Sequence, residues 1–169
     1  MAKIIVSTIP GESALHSWSV KSDFCDAYEV SLPMGAAALS PTEFYLHASR
    51  TTPRWINTLM RIRNRIVRLF GLKDVGPIGA VAKAAHDYQV GDQIGIFSIF
   101  GKTENELLLG IDDRHLDVRV SVMKPFRNGL PYCIVSTAVQ VDNFLGHLYM
   151  VPVGRIHPFI VRSMLTRGG

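Results

Sequence analysis

The stretch ELLLGIDDRHLDVRVSVM, residues 106–123 of a 169-residue chain, decides the fold class. Glu106 to Ile111 and His115 to Met123 are strand-length runs, and Asp112 to Arg114 between them has the composition of a turn. In the second run Leu116, Val118, Val120 and Val122 point one way, while His115, Asp117, Arg119 and Ser121 point the other. Two such runs joined so closely predict an antiparallel pair with one apolar face. Outward from it, Gln93 to Phe100, Tyr132 to Val141 and His147 to Val153 are further strand-length runs. Gly101 to Asn105, Pro125 to Pro131 and Asp142 to Gly146 provide the turns, so the whole reads as an antiparallel meander.

Helices flank the meander. Thr52 to Leu72 places Trp55, Ile56, Leu59, Met60, Ile62, Ile66, Val67, Leu69 and Phe70 on one helical arc, with Thr52 as N-cap, Pro53 as first helical residue and Gly71 as the stop. Arg54, Arg61, Arg65 and Arg68 form a stripe on the other side. Arg63 instead falls within the apolar arc, where a guanidinium needs a carboxylate, a water pocket or a ligand. A shorter helix, Pro41 to Ser49 capped by Ser40, precedes it, and Ile156 to Arg167 closes the chain with Pro158 in its first turn. Before these, Ala27 to Leu32 alternates, with Tyr28, Val30 and Leu32 on one side, and ends at Pro33. Gly76, Pro77 and Gly79 mark a turn, and Ala80 to Ala85 is a helical turn or a loop. The expected fold class is therefore α+β: a curved antiparallel sheet with helices packed on one face, in the order strand, two helices, strand meander, C-terminal helix.

Composition sets the bounds. A hydrophobic content of 47% over this length suits one domain spanning residues 1–169, with residues 1–22 as an N-terminal arm. The net charge of +4 is local, because Arg50 to Arg68 carries six arginines and no acid. Such a stripe suits a solvated face or contact with an anionic membrane through Arg54, Arg61, Arg65 and Arg68. A nucleic-acid partner is disfavoured, because the aromatics lie on the opposite arc. Cys25 and Cys133 lack metal-type spacing, and no signal-peptide pattern opens the chain, so a reducing, cytoplasmic setting is expected.

Three segments carry a resemblance to known proteins: PRWINTLMRIRNRIVRLFGL (53–72), ELLLGIDDRHLDVRVSV (106–122) and FLGHLYMVPVGRIHPFIVRSML (144–165). They look like a bacterial family classed as a domain of unknown function, which occurs alone or fused behind short-chain-dehydrogenase-like domains. The element order over most of residues 24–167 resembles the START-like, or helix-grip, superfamily of polyketide cyclases, pollen allergens and lipid-transfer domains. That resemblance implies a sheet wrapped round a long C-terminal helix, for which the closing helix expected here is short.

No nucleophile elbow, phosphate loop, dinucleotide fingerprint or paired CxxC is present, so no cofactor is expected and a mostly apolar cavity with few polar groups remains. His157 shares its helix face with Ile160, Val161, Met164 and Leu165, near a helix N-terminus whose dipole favours a neutral imidazole. Tyr149 shares an expected strand face with His147, Val151 and Val153. His157, Arg63 and Tyr149 are the candidate catalytic groups. Arg63, His115, Asp117, Arg119, Tyr149 and His157 are the candidate ligand contacts, the 115–121 row lining a pocket or facing solvent. Asp112, Asp113, His115 and Asp117 are poorly arranged for a metal, and none is expected. Three functions fit: a carrier or sensor of a small hydrophobic or amphipathic molecule, a cofactor-independent cyclase, dehydratase or isomerase of a polyketide-like substrate, or interaction through the arginine stripe.

Overall fold

Residues 3–69 and 83–168 are described in the computed structural model, with side chains of the third helix described to residue 65. The Gly71 stop, the turn at Gly76, Pro77 and Gly79, residues 80–82 and the Arg68 side chain lie outside the described residues. In chain order the elements are β1 (Ile5–Val6), α1 (Leu15–Ser19), β2 (Phe24–Ser31), α2 (Pro41–Arg50), α3 (Arg54–Leu69), β3 (Gln93–Ile94), β4 (Phe97–Lys102), β5 (Glu106–Asp112), β6 (Leu116–Met123), β7 (Phe126–Arg127), β8 (Leu130–Val141) and α4 (Phe144–Gly168). The strands form one antiparallel sheet in the order β1-β2-β8-β6-β5-β4-β3, with β7 folded back on β8.

The deciding hairpin forms as an antiparallel pair, with Leu107 opposite Val122, Leu109 opposite Val120 and Ile111 opposite Val118. Register then carries the apolar side of β6 across β8 and β2, since Val120 pairs with Thr137 and Thr137 with Asp26. The helix layer covers this face, and the main core of Tyr28, Phe44, Leu107, Leu109, Val122 and Leu165 lies beneath it. On the other face the arm 13–19 is clasped to the sheet, where α1 meets β6 and β8.

Local chemistry explains most ends. Ser40 and Glu43 make a reciprocal capping box, Glu43 N donating to Ser40 Oγ at 3.2 Å and Ser40 N to Glu43 Oε2 at 2.7 Å. Asn128 and Gly129 both take positive φ, 53° and 75°, which suits the tight turn joining β7 to β8.

Three expectations are corrected. Gln93 to Phe100 is two strands, because Gly95 at φ 60° turns the chain between Ile94 and its partner Phe97. Thr52 does not cap α3: its hydroxyl donates to the Ser49 carbonyl at 2.6 Å and so finishes α2. Most consequentially, His147 to Val153 is not a strand but the first part of the 25-residue α4. Strand β8 is already paired along its length with β2 on one edge and β6 on the other, so no edge remains for the next segment. Asn143 starts a helix there instead, its carbonyl accepting from His147 N at 3.2 Å and its Oδ1 from Gly146 N at 3.2 Å. Residues 144–168 thus supply a long C-terminal helix, consistent with a helix-grip-like arrangement.

Candidate ligand cavity

Between the concave sheet face and α2, α3 and α4 lies a cavity of about 590 Å³. Its wall is built from the alternation already described: Val118, Val120 and Val122 of β6, with Val135 and Val139 of β8, project into it from the sheet. Leu59 and Met60 of α3, with Ile156 and Ile160 of α4, close the opposite side. Few polar side chains reach it, chiefly Arg63, Asp113, Thr137, Tyr149 and His157. Tyr45 of α2 also borders it, and burial pushes its phenol up to about 12.

Four of these polar groups form two clusters, Arg63 with Tyr149 and His157 with Thr137. On α3, Arg63 is half-buried; its Nε donates to the Tyr149 hydroxyl at 3.2 Å and its Nη1 to Asn64 Oδ1 at 3.0 Å. Tyr149 belongs to α4 and not to a strand, so this bond ties the two helices together. At the second cluster His157 places Nδ1 2.9 Å from Asp26 Oδ2 and Nε2 3.4 Å from Thr137 Oγ1, with Phe24 edge-on at 5.8 Å between ring centroids. An ionised Asp26 accepts only, so the hydrogen sits on Nδ1, and Nε2 is left as the nitrogen able to accept a proton beside the cavity. Asp26 also acts on its strand neighbour: burial, and next the charge of Asp26, hold the Tyr28 phenol above its ordinary value. His157 lies in the middle of α4, so the dipole expected from a nearby helix N-terminus does not reach it. Tyr149 and His157 are eight residues apart on one helix, about 12 Å along its axis.

The remaining candidates lie elsewhere. His115 is buried at the start of β6, where its Nδ1 is 2.9 Å from Asn143 Oδ1 and helps hold the first turn of α4. Asp117 and Arg119 project from the opposite face of the sheet. Asp117 accepts from Asp113 N at 3.3 Å, and burial, then the charge of Asp112, raise its carboxyl above the ordinary value. Arg119 stacks 3.8 Å from the Phe100 ring centroid and 5.3 Å from that of Trp18, and pairs with Asp112 at 2.6 Å. The structure therefore brings Arg63 to Tyr149 and sets His157 in the same cavity, while His115, Asp117 and Arg119 do not line it. Among the described residues no group of three or more His, Cys, Asp or Glu side chains converges as a metal site.

Sequence reasoning missed Asp26 and Thr137. Asp26 had a signal: continuing the alternation of Tyr28 and Val30 one step towards the N-terminus puts it on the same strand face. Thr137 had none, because in a run such as IVSTAVQV a lone threonine on the apolar face is unremarkable.

Comparison with curated proteins and with solved structures returns no match. A family profile does match, over residues 18–164, which takes in β2 to β8 and most of α4. The chain belongs to the family described as Protein of unknown function (DUF2867).

Proposed function

We propose that the protein binds a small hydrophobic or amphipathic molecule in the cavity under its sheet, as a carrier or sensor. The observation that carries this reading is the cavity itself: about 590 Å³, walled mainly by aliphatic and aromatic side chains. That volume falls within the roughly 300–1,000 Å³ of small-molecule sites. The START-like resemblance supports the same reading, with the long α4 as the gripped helix. Arg63 and Tyr149 orient a polar end of the ligand, and the rest buries apolar surface. A reducing, cytoplasmic setting accords with two free thiols, Cys25 and Cys133. Native mass spectrometry of the purified protein tests the proposal. A co-purified apolar molecule, lost when Val120→Arg fills the cavity, is the expected result; an empty wild-type protein that also takes up no apolar fluorescent probe ends it.

A second reading has its own support in the Asp26–His157 pair. An imidazole oriented by a carboxylate beside an apolar cavity suits cofactor-independent acid–base chemistry: a cyclase, dehydratase or isomerase of a polyketide-like molecule. Here His157→Gln abolishes turnover while leaving ligand retention intact, whereas in a carrier it changes affinity alone.

A further inference from the structure

Charge in this chain is segregated by element. Helices α3 and α4 hold eight of the eighteen basic residues, all arginines, and none of the fourteen acidic ones. The rest of the chain is net negative, with ten basic residues against fourteen acidic. The same two helices expose large apolar side chains. Along α4 Phe144 is 77% exposed, Val151 57% and Phe159 67%, at spacings that set them on one side of the helix, with exposed Arg155 in the same stripe. On α3 Trp55 and Ile62 are exposed among Arg54, Arg61 and Arg65. Leu145 and Leu148 of α4 and Ile62 of α3 are exposed and also line the cavity, so its mouth opens through this face.

We propose that the α3–α4 face docks on an anionic lipid surface, with Phe144, Val151 and Phe159 entering the interfacial layer and Arg61, Arg65 and Arg155 meeting lipid phosphates. Exposed apolar residues bordered by arginines, with no acid on either helix, are the pattern of a helix lying in a membrane interface. A second copy of the chain is a poor occupant, because a symmetric contact would set Arg61, Arg65 and Arg155 of one copy against the same arginines of the other, with no acid on either helix to pair them. A nucleic acid fits less well: Trp55, Phe144 and Phe159 expose rings, but the aliphatic Val151, Leu148 and Ile62 lie among them and the arginines follow convex helices, not a base-binding groove. No helix among the described residues is long and apolar enough to cross a membrane, which leaves contact at the surface. The proposal rests on the outer helix surface and not on the cavity's contents, although it gives a membrane-derived ligand a direct path inward.

Co-sedimentation with vesicles tests it, comparing phosphatidylcholine alone with phosphatidylcholine mixed with phosphatidylglycerol. The full chain should pellet with the mixed vesicles only, and rising salt should release it. Arg61→Gln, Arg65→Gln and Arg155→Gln should each weaken binding about fivefold. Phe144→Ser with Phe159→Ser should abolish it while thermal unfolding and any co-purified molecule are unchanged, which separates this result from the cavity reading. Failure to pellet with anionic vesicles at low salt, or binding indifferent to both sets of changes, overturns the proposal. So does a dimer that Phe159→Ser dissolves, or tighter binding to a single-stranded RNA than to vesicles.

Discussion

The two faces of the sheet use polar residues in opposite ways. On the outer face they are numerous and spent on structure. Glu106 accepts from Ser13 Oγ at 2.5 Å, Ser121 Oγ at 2.6 Å and Ala14 N at 3.0 Å, and so fastens the N-terminal arm, while Arg119 is held between Phe100 and Trp18. On the helix face they are few, and those that reach the cavity stand against an apolar wall. A row of polar side chains along a strand is therefore no sign of a site. A polar side chain that interrupts an apolar face, as Asp26 and Arg63 do, is the better pointer, because burial there demands a partner.

The largest effect should come at the seam where the two faces meet. A Cβ on Gly146 would stand 2.3 Å from the His115 carbonyl oxygen and 2.7 Å from Val141 Cγ1, so Gly146→Ala must push α4 off the sheet. We expect a loss of about 3 kcal/mol in denaturant unfolding; an unchanged midpoint would mean that this contact is not made. On the outer face, Glu106→Ala takes the acceptor from two buried hydroxyls and the part-buried Ala14 N–H, and should cost roughly 2–3 kcal/mol. Retention of any cavity ligand should be unaffected, and a loss of ligand would show that the faces are coupled. On the helix face, His157→Ala should cost about 1–2 kcal/mol by leaving Asp26 without its imidazole partner. A double-mutant cycle with Asp26→Ala should recover part of that loss, and a coupling of zero would refute the pair. The smallest effect belongs to the rim of the helix layer. Hydrogen bonds from the Ser40 backbone and side chain hold the exposed Glu43 carboxyl below its ordinary value. Because its folded value is lowered, its contribution is present above the unfolded value of 4.5 and is lost as pH falls through the folded one. Thermal unfolding of Glu43→Gln should thus lie slightly below that of wild type near neutrality and converge with it in acid; a constant gap would assign the effect to something other than the charge.

Periodicity made much of the fold legible. In β5 and β6 the residues of one parity, Leu107, Leu109 and Ile111 with Leu116, Val118, Val120 and Val122, face the helices and are apolar, and α2 announced itself through the Ser40 cap and Pro41. The most consequential failure has a tertiary cause. In His147 to Val153 the local pattern is compatible with a strand, and only the occupied edges of β8 decide for helix; this is tertiary information that no window of sequence contains. The site suffered from the same limit. Arg63 was visible because it broke a helical arc, whereas Asp26 sat one residue outside the expected strand and its partner His157 lies 131 residues away. The exposed apolar stripe on α4 was hidden by the same misreading, since Phe144, Val151 and Phe159 share a face only when the segment is helical.

The two thiols have unequal fates. Cys25 is exposed on β2, while Cys133 is fully buried on β8, with strands on both sides of it, and burial pushes its thiol well above the ordinary range. A thiol reagent should accordingly mark Cys25 at once and reach Cys133 only when the centre of the sheet opens. One unaltered molecule thereby carries a reference clock and a reporter of its own rarest excursion, and the ratio of the two labelling rates gives how often the centre of the sheet opens.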